Sequence, residues 1–403
     1  MSNKPGGVDI PWLLPDSVEE LLPPAASELE ALRRTALEIS NRWGYALIMP
    51  PTIEYLESLL SGAAHDLDLQ TFKLTDQLSG RMMGVRADIT PQAARIDAHQ
   101  LRQEGPVRLC YTGTVLRTRP DEPAGSRNPL QMGAELYGHA GVESDIEVIS
   151  LMTEVLYASG IESLHLDLGH VGIFRALARD AGLEADDEAR LWDALQRKAT
   201  ADIQALMDTL QVDAVHRDRL SALATLSGGS ETMDEARRVL AGAPSSVMEA
   251  LDALSTIAQS LQRWSPTLTL HFDLGELRGY RYHTGVVFAA YTPGESLELA
   301  RGGRYDDIGA VFGRARPATG FSTDLKALLK AIGPTKGSQS FVEGAIGAPW
   351  SANDALRAAI RAHRQAGDVV VWLLPGHEHA AAAMGCDRRL VEDDSGQWRV
   401  EPL

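Results

Sequence analysis

The 403-residue chain has only two cysteines, Cys110 and Cys386, and they lie far apart in the sequence. Two cysteines are too few for a disulfide framework or a cysteine-rich zinc site, and this scarcity is typical of a reducing cytosol. No run approaches the roughly 20 consecutive apolar residues of a membrane helix. The polar residues 1–9 contain no apolar segment typical of a signal peptide. The sequence therefore predicts a cytoplasmic protein without a membrane partner.

Positive charge is also scarce, because 38 Lys and Arg face 55 Asp and Glu and give a formal net charge of −17. Proteins that bind nucleic acid neutralise its phosphates with Lys and Arg, usually clustered in one patch. The basic runs of this chain are no longer than pairs such as Arg33-Arg34 and Arg388-Arg389. We therefore expect no nucleic-acid partner.

Common catalytic and metal-binding motifs are missing as well. The histidines are scattered without an HxxxH or HExxH pattern, so we expect no metal site. The sequence has neither a phosphate-binding Walker loop nor a GxSxG nucleophile elbow, and we expect no cofactor. The segment Ser227-Gly228-Gly229 is interpreted as a break between helices rather than as a phosphate-binding loop.

Caps, turns and apolar periodicity predict the elements of the first part of the chain. A first helix has a capping box formed by Ser27 and Glu30 and ends at Gly44. Further elements follow from alternating apolar residues and turn residues. They are a strand over 45–49, a hairpin over 71–76 and 82–87, a helix with Thr90 as N-cap and Pro91 at the first helical position, antiparallel strands over 108–117 and 131–137, and a helix over 144–156.

The remainder of the chain predicts an α+β protein with two domains, at 1–333 and 338–403. Residues from about 172 to 262 are rich in Ala, Leu and charged residues without strand signals, which indicates a helical insertion. The other predicted elements are strands over 163–168, 267–274 and 280–291, a tight turn at Gly302-Gly303, a helix over 322–332, and a linker over 333–337. A helix over 354–365, a strand over 368–374 and a short tail indicate a small C-terminal α/β domain.

Two groups of polar residues are candidates for a binding site. Gln131, Gly133 and Glu135 share one face of a strand because side chains alternate along it, and Arg117 ends the partner strand. A glycine within a strand often marks the close approach of a ligand, although ordinary surface residues explain such a pattern more often. The second group, over 276–285 and 301–306, concentrates Arg, Tyr and Gly between apolar strands. Such residues are costly to bury unless they bind a ligand or form a satisfied structural network.

In this order, these segments resemble the core of the class II aminoacyl-tRNA synthetases, and within it the histidyl-tRNA synthetase branch. The resemblance extends from about Pro11 to Ile332 without the insertion. It implies an antiparallel sheet flanked by helices, and self-association through the first motif, which matches the helix, Gly44, strand and Pro50 unit. The other matches are 85–91 with the amino-group site, 117–135 with the second motif, and 277–282 and 302–306 with the two histidine-specific motifs.

The resemblance implies a pocket for L-histidine. Histidine offers an ammonium, a carboxylate and a two-nitrogen ring, and charge-assisted hydrogen bonds to such groups are worth roughly 1.5–3 kcal/mol each. The residues that match the family's contacts fall into three sets: Asp88, Thr90 and Gln131 for the ammonium, Glu135, Tyr282 and Tyr305 for the imidazole, and Arg117 and Arg278 for the carboxylate.

The third synthetase motif departs from the family pattern. Ala327 stands where the family has an arginine that holds the γ-phosphate of ATP, and Asp324 replaces a glycine. Lys326 and Lys330 are nearby but are expected on different helical faces or turns. Loss of one preorganised transition-state contact typically costs about 10²–10³ in rate. The C-terminal domain is also too short and too poor in bases for the usual anticodon-reading module.

The chain combines the residues of an amino-acid pocket with the loss of an ATP contact. In this combination it resembles the regulatory subunits of ATP phosphoribosyltransferase, which are synthetase paralogues in histidine biosynthesis. The resemblance implies a subunit without catalytic residues, a short-form catalytic subunit as partner in a hetero-octamer, and feedback control by histidine. Two alternatives stay open: a histidyl-tRNA synthetase and a free-standing paralogue that activates an amino acid. Histidine-dependent exchange between ATP and pyrophosphate distinguishes these enzymes from the regulatory subunit.

Overall fold

The computed structural model describes residues 13–60, 65–120, 125–210, 212–277, 279, 282–293, 298–333 and 344–403. The chain divides into two compact units, a larger one from 1–19 and 31–332 and a smaller one from 20–30 and 333–403. Apart from Gly333, the predicted linker lies outside the described residues, and the predicted domain boundaries stay a prediction. Among the described residues, no helix combines the length and apolar character needed to span a membrane.

Elements up to residue 170 alternate between short strands and helices. They are α1 (Ala25–Arg42), β1 (Ala46–Ile48), β2 (Ile53–Tyr55), α2 (Leu56–Leu60), α3 (His65–Gln70), β3 (Phe72–Thr75), β4 (Met82–Val85), α4 (Thr90–Arg95), β5 (Val107–Thr114), β6 (Leu130–Tyr137), α5 (Val142–Ala158) and β7 (His165–His170). The helix α4 continues into a π-helical turn over Ile96–Leu101. The strands β2, β4 and β3 form a small antiparallel sheet.

The segment predicted as a helical insertion contains six helices among its described residues, α6 (Val171–Asp180), α7 (Ala185–Gln196), α8 (Thr200–Thr209), α9 (Ala214–Ala222), α10 (Glu231–Val239) and α11 (Ser245–Trp264). It also contains a two-residue strand, β8 (Ser227–Gly228), at the predicted helix break. The absence of strands predicted for this segment is therefore wrong at one point. β8 pairs with the strand that contains Phe272 and Asp273, and the Leu274 N–H donates to the Leu226 carbonyl beside this pair. A strand of two residues is too short to show an alternation of apolar and polar residues in the sequence.

The larger unit is built on a nine-stranded, mostly antiparallel sheet in the order β1-β5-β6-β12-β11-β10-β7-β9-β8. Its last strands are β9 (Thr269–Asp273), β10 (Val286–Tyr291), β11 (Glu298–Arg304) and β12 (Ala318–Asp324), followed by α12 (Leu325–Ile332). Among the described pairs of this sheet, β1–β5 and β7–β9 are parallel and the others antiparallel. The buried helix α5 packs on one face of the sheet and α11 packs on α5, which leaves part of the opposite face for a site. This sheet with flanking helices confirms the α+β prediction.

Two predicted helix starts are wrong, the first by three residues and the second by one. α1 begins at Ala25 rather than after Ser27, because the Pro24 carbonyl already accepts the first helical N–H, from Glu28, at 3.2 Å. α4 begins at Thr90 rather than at Pro91, since the Asp88 carboxylate accepts the Thr90 N–H at 2.9 Å. In both places a neighbouring acceptor replaces the hydroxyl that the sequence offers as a cap.

The predicted tight turn at Gly302-Gly303 is wrong, because both glycines lie inside β11. Gly302 is opposite Phe288 of β10, and Gly303 is opposite Gly320 of β12. A side chain at position 302 would overlap the Phe288 ring, so glycine is required here for close packing rather than for a turn. β12 also includes Ser322 to Asp324, which the sequence assigned to the following helix.

The smaller unit contains β13 (Ala345–Pro349), α13 (Asp354–Gln365), β14 (Val370–Leu373), β15 (Cys386–Glu392) and β16 (Trp398–Pro402). Its sheet has the order β14-β13-β15-β16. The Asn353 side chain caps α13 through the Ala355 and Leu356 amides at 2.8 and 3.1 Å. The helix and the first strand after it agree with the sequence prediction. The predicted tail is wrong, since it forms the two strands β15 and β16, which pair antiparallel.

Candidate functional site

A cavity of about 340 Å³ lies over the face of the large sheet that the helices α5 and α11 leave open. Its floor comes from β6, β12, β11 and β10, and its sides come from the segment before α4 and from residues within 276–283. Five of the eight residues predicted to bind histidine line this cavity: Asp88, Thr90, Glu135, Tyr282 and Tyr305.

Glu135 is the buried centre of the site, with its side chain on β6. Its Oε1 accepts a hydrogen bond from the Tyr111 hydroxyl at 2.9 Å, and its Oε2 accepts one from the Tyr305 hydroxyl. Gly320 lies opposite on β12, where any side chain would overlap the Glu135 carboxylate. Burial raises the pKa of Glu135 to about 8, although the hydrogen bonds from Tyr305 and Tyr111 act in the opposite direction.

Tyrosine rings form the wall around this carboxyl group. The Tyr305 and Tyr282 rings stack with centroids 5.1 Å apart, and Tyr137 meets Tyr305 edge-on at 6.4 Å. Burial raises the pKa of Tyr305 and Tyr111 well above the ordinary range, so both hydroxyls stay protonated as donors. The buried Tyr282 hydroxyl has no hydrogen-bond partner among the described residues. This hydroxyl is therefore a polar group that a bound ligand can satisfy.

A second carboxylate, Asp88, stands beside the first turn of α4. Its Oδ1 accepts hydrogen bonds from Gln131 Nε2 at 2.8 Å and from the Thr90 N–H at 2.9 Å. Gln131 is held in turn by the Ile89 N–H, which donates to its Oε1 at 2.9 Å. A carboxylate can accept about four hydrogen bonds, so these two leave capacity for an ammonium group. Gln131 is not among the residues that line the cavity, and it positions Asp88 from behind.

Neither of the two predicted carboxylate-binding arginines is among the described residues that line the cavity. Arg117 is not among the lining residues, and its Nε donates to the Ala87 carbonyl at 3.3 Å. Arg117 lies close enough to Asp324 to lower the pKa of that carboxyl, although burial is the larger effect and raises it. Arg278 lies outside the described residues. A role for either arginine at the ligand therefore stays a prediction.

Residues that the sequence did not single out also contribute to the site, either behind Glu135 or in the cavity lining. Tyr111 is opposite Gly133 in the β5–β6 ladder, so its side chain lies on the same sheet face as Glu135 and contacts it. The register of these two strands is the signal that could have identified Tyr111 from the sequence. Glu276 and Arg301 line the cavity as well, from within the two Arg- and Tyr-rich segments. Their sequence context was visible, but nothing in it distinguished them from their neighbours.

The segment that matches the third synthetase motif offers little cationic charge to a polyphosphate. Lys326 and Lys330 lie on successive turns of α12, and both approach Glu19, with N–O distances of 4.0 and 2.8 Å. Neither lysine lines the cavity. Asp324 caps α12 by accepting from the Lys326 N–H at 3.0 Å, so its carboxyl group lies where the family has no side chain.

The fold and the pocket together define a protein of the histidyl-tRNA synthetase class. A family model described as "Histidyl-tRNA synthetase" matches residues 17–328, which is most of the chain. A second model, "ATP phosphoribosyltransferase subunit HisZ C-terminal domain", matches residues 343–401. The chain belongs to the family of ATP phosphoribosyltransferase regulatory subunits.

The chain is similar to known proteins over most of its length. An ATP phosphoribosyltransferase regulatory subunit of Thioalkalivibrio sulfidiphilus is 58% identical over 392 residues, covering 97% of this chain and 98% of that protein. A solved ATP phosphoribosyltransferase regulatory subunit/histidyl-tRNA synthetase from Bacillus halodurans C has a TM-score of 0.81 at 28% identity, and covers 92% of this chain and 96% of its own. A chain of the ATP phosphoribosyl transferase (HisG:HisZ) complex from Thermotoga maritima shares the fold, with a TM-score of 0.56 at 17% identity over 75% of this chain and 98% of that one.

Proposed function

We propose that this chain is the non-catalytic regulatory subunit of an ATP phosphoribosyltransferase and that its cavity binds L-histidine. The observation that carries this proposal is the Glu135 carboxyl group, held between two tyrosine hydroxyls within a cavity that also contains Asp88. The first step of histidine biosynthesis would then depend on this subunit, and histidine would control it.

The two carboxylates of the cavity suit the two nitrogen-bearing ends of histidine. Asp88 and the Thr90 hydroxyl accept from the α-ammonium, while Glu135 accepts from one ring N–H. The Tyr282 hydroxyl, buried without a partner among the described residues, supplies a donor for the second ring nitrogen. A site built from such groups strongly rejects a ligand that leaves one of them unpaired. This pairing supports histidine over amino acids with an apolar side chain.

The proposal that the chain is not catalytic rests on the nucleotide side of the fold. Ala327 replaces the arginine expected there, and the nearby Lys330 is paired with Glu19 at 2.8 Å. Asp324 adds a carboxyl group next to the position of a polyphosphate. Preorganised cations supply much of the transition-state stabilisation in phosphoryl and nucleotidyl transfer. Without them, we expect the chain to bind histidine and not to activate it.

The proposed partner is a short-form catalytic subunit of ATP phosphoribosyltransferase, in a hetero-octamer. Membership of a family of regulatory subunits supports the partner, because such a subunit acts on an enzyme. For self-association, an apolar surface supports the match to the synthetase dimer element: Leu47, Met49, Ile53 and Met82 of β1–β4 and their flanks are each more than 40% exposed. We name these four residues the β1–β4 patch.

Regulation requires histidine to bind two assembly states with different affinities. In the proposed mechanism, docking of this subunit favours an active arrangement of the transferase, and histidine favours an inactive one. Two locations for the regulatory histidine are consistent with this linkage: the cavity around Glu135, and a second site at the contact between the two kinds of subunit.

Calorimetric titration of the purified chain with L-histidine tests the binding part of the proposal. We expect binding by the native chain, none by Glu135→Ala, and an unchanged circular dichroism spectrum in the variant. The matched control is Glu143→Ala, which removes a carboxylate from the first turn of α5 outside the cavity. Normal histidine binding by Glu135→Ala would contradict the pocket assignment.

Exchange between ATP and pyrophosphate in the presence of histidine tests the non-catalytic part. We expect no histidine-dependent exchange above background. Robust exchange would instead support a histidyl-tRNA synthetase or an amino-acid-activating paralogue, both of which share the fold.

A further inference from the structure

The two ends of the proposed histidine site are joined by hydrogen bonds that pass through Tyr111. The Tyr111 hydroxyl lies 2.9 Å from Glu135 Oε1 and 3.0 Å from the Thr90 hydroxyl. The Thr90 N–H in turn donates to Asp88 Oδ1 at 2.9 Å. Tyr111 therefore stands between the carboxyl group proposed for the ring and the two residues proposed for the ammonium group.

Tyr111 lies behind the wall of the cavity. Its side chain is fully buried and is not among the described residues that line the cavity, whereas Thr90 and Glu135 do line it. Its hydroxyl passes over Gly133, where a Cβ atom would lie 2.5 Å from the hydroxyl oxygen. The absence of a side chain at position 133 therefore makes room for the Tyr111 hydroxyl.

The ring of the ligand sets the direction of these hydrogen bonds. A ring N–H that donates to Glu135 favours the ionised carboxyl group, which can only accept hydrogen bonds. Burial holds the pKa of Tyr111 well above its usual range, so its hydroxyl keeps its hydrogen and donates it to Glu135. The Tyr111 oxygen must then accept from the Thr90 hydroxyl, since Tyr111 has no second hydrogen to offer.

This direction leaves the Thr90 oxygen suited to an ammonium group. A hydroxyl has one hydrogen and two lone pairs, and with the hydrogen on Tyr111 only lone pairs are left for the cavity. The Thr90 hydroxyl also lies close enough to Glu135 to lower the pKa of that carboxyl, so both neighbours draw its hydrogen away from the cavity. A hydrogen that pointed into the cavity would instead face the hydrogens of the ammonium group.

We infer that Tyr111 is a positioning residue that couples the two ends of the ligand: it donates to Glu135 and thereby orients the Thr90 hydroxyl to accept from the ligand's ammonium group. The inference rests on the proposed histidine site and adds to it a residue that the ligand does not touch. Recognition of the ring and recognition of the ammonium group are then cooperative.

The contribution of the amino group to affinity measures this coupling. We define the amino-group factor as the dissociation constant of imidazolepropionate, which is histidine without its amino group, divided by that of L-histidine. Tyr111→Phe keeps the ring and removes the hydroxyl, and it should lower the amino-group factor about 10-fold, as expected for one hydrogen bond to a charged group. A purely structural role would weaken both ligands alike and leave the factor unchanged.

Two further variants show whether the effect passes through Thr90. Thr90→Val removes the hydroxyl proposed to accept from the ammonium group, and it should lower the amino-group factor at least as much as Tyr111→Phe. The double variant should have the same factor as Thr90→Val alone, because Tyr111 then has no hydroxyl left to orient.

The matched control is Tyr45→Phe. The buried Tyr45 hydroxyl also donates to a glutamate, Glu147, at 3.0 Å, but neither residue is among those that line the cavity. This variant should keep the amino-group factor of the native chain. Thermal unfolding of each variant shows whether it is folded.

Proton NMR of the histidine-bound native chain tests the direction without a substitution. The Thr90 hydroxyl hydrogen should exchange slowly with solvent and show a nuclear Overhauser effect to the Tyr111 ring. An effect to the ligand in its place would mean that the hydrogen points into the cavity, and this would overturn the inference.

Two results with the variants would also overturn it. An unchanged amino-group factor in folded Tyr111→Phe would show that Thr90 is oriented without Tyr111. A factor that is lower in the double variant than in Thr90→Val would show that Tyr111 acts by another route. If the native chain binds no histidine at all, the proposed function itself fails, and the inference fails with it.

Discussion

At the scale of single residues, Glu135 stands in an environment that is uncommon for a carboxyl group. Its side chain is 1% exposed, and no cation approaches it among its hydrogen-bond partners, which are tyrosine hydroxyls. Burial therefore keeps the proton on this carboxyl to an unusually high pH, with a pKa of about 8. A ring N–H from a ligand would favour the ionised form, so ligand binding and proton release are linked at this residue.

The elevated pKa of Glu135 predicts how stability changes with pH. Its folded pKa of about 8 exceeds the ordinary value of 4.5, so the folded state binds the proton more strongly than the unfolded state between these values. This residue's contribution to stability is present at acidic pH and is lost as pH rises through 8. In Glu135→Gln, which mimics the protonated form, that loss is absent.

Urea unfolding of the ligand-free proteins at pH 5.5 and pH 8.5 measures this effect. Relative to Glu135→Gln, the native chain should lose more than about 1.4 kcal/mol between the two pH values, the equivalent of a tenfold change in proton affinity. A stability difference that does not change with pH would show that Glu135 is ionised in the folded protein across this range.

At the scale of elements, the strands β11 and β12 pack closely on their neighbours through glycines. Gly320, Gly302 and Gly303 leave room for Glu135, Phe288 and His283, and a side chain at any of the three would overlap a neighbour. The sequence alone did not show that Gly302 and Gly303 lie within a strand, because a Gly-Gly pair is also typical of a turn. Only the register of β11 between β10 and β12 distinguishes the two uses.

Gly320→Ala is therefore predicted to damage both stability and the site. The new methyl group overlaps the Glu135 carboxylate, and relief of that overlap should cost about 1–3 kcal/mol in unfolding free energy and abolish histidine binding. The matched variant is Gly347→Ala in β13, where the atoms nearest to the methyl group would be those at the flexible end of Leu373, at 3.2 Å or more. Chemical denaturation and calorimetry measure both effects. Equal behaviour of the two variants would contradict the packing argument.

The elements that the sequence predicted well are those with a local signal. The antiparallel pair β5–β6 and the helix α13 have alternation or a capping residue that acts within a few residues. The sequence misplaced the starts of α1 and α4 and missed β15 and β16, because each depends on an acceptor or a partner strand that periodicity does not reveal. Five of the eight site residues that the resemblance implied line one cavity, because strands that match the family's motifs take corresponding places in the sheet, whereas Arg117 follows the end of β5 and does not line it.

At the scale of the whole molecule, the β1–β4 patch leaves several apolar side chains exposed. Met49 is 79% exposed, directly after the edge strand β1. Burial of such side chains is worth about 25 cal/mol per Å² of apolar area, which favours pairing of two copies. A charged side chain in this patch should therefore leave the folding of the single chain unchanged but weaken the dimer.

Met49→Asp tests this proposed self-association. Because the side chain is exposed, we expect the unfolding free energy of the chain to change by less than about 0.5 kcal/mol. In sedimentation velocity runs at the same concentration, the native chain should dimerise and the variant should be mostly monomeric. Val215→Asp, at an exposed apolar position of α9, is the control and should dimerise normally. A dimeric Met49→Asp variant would place the interface elsewhere.

The central claim is that this chain couples histidine to the activity of a phosphoribosyltransferase, and reconstitution tests it most directly. The measurement is formation of phosphoribosyl-ATP by a short-form catalytic subunit from the same organism, with and without the full-length chain, and with histidine added. The account predicts activity that rises when this chain is present and falls when histidine is added. No stimulation, together with no co-elution of the two proteins, would contradict it.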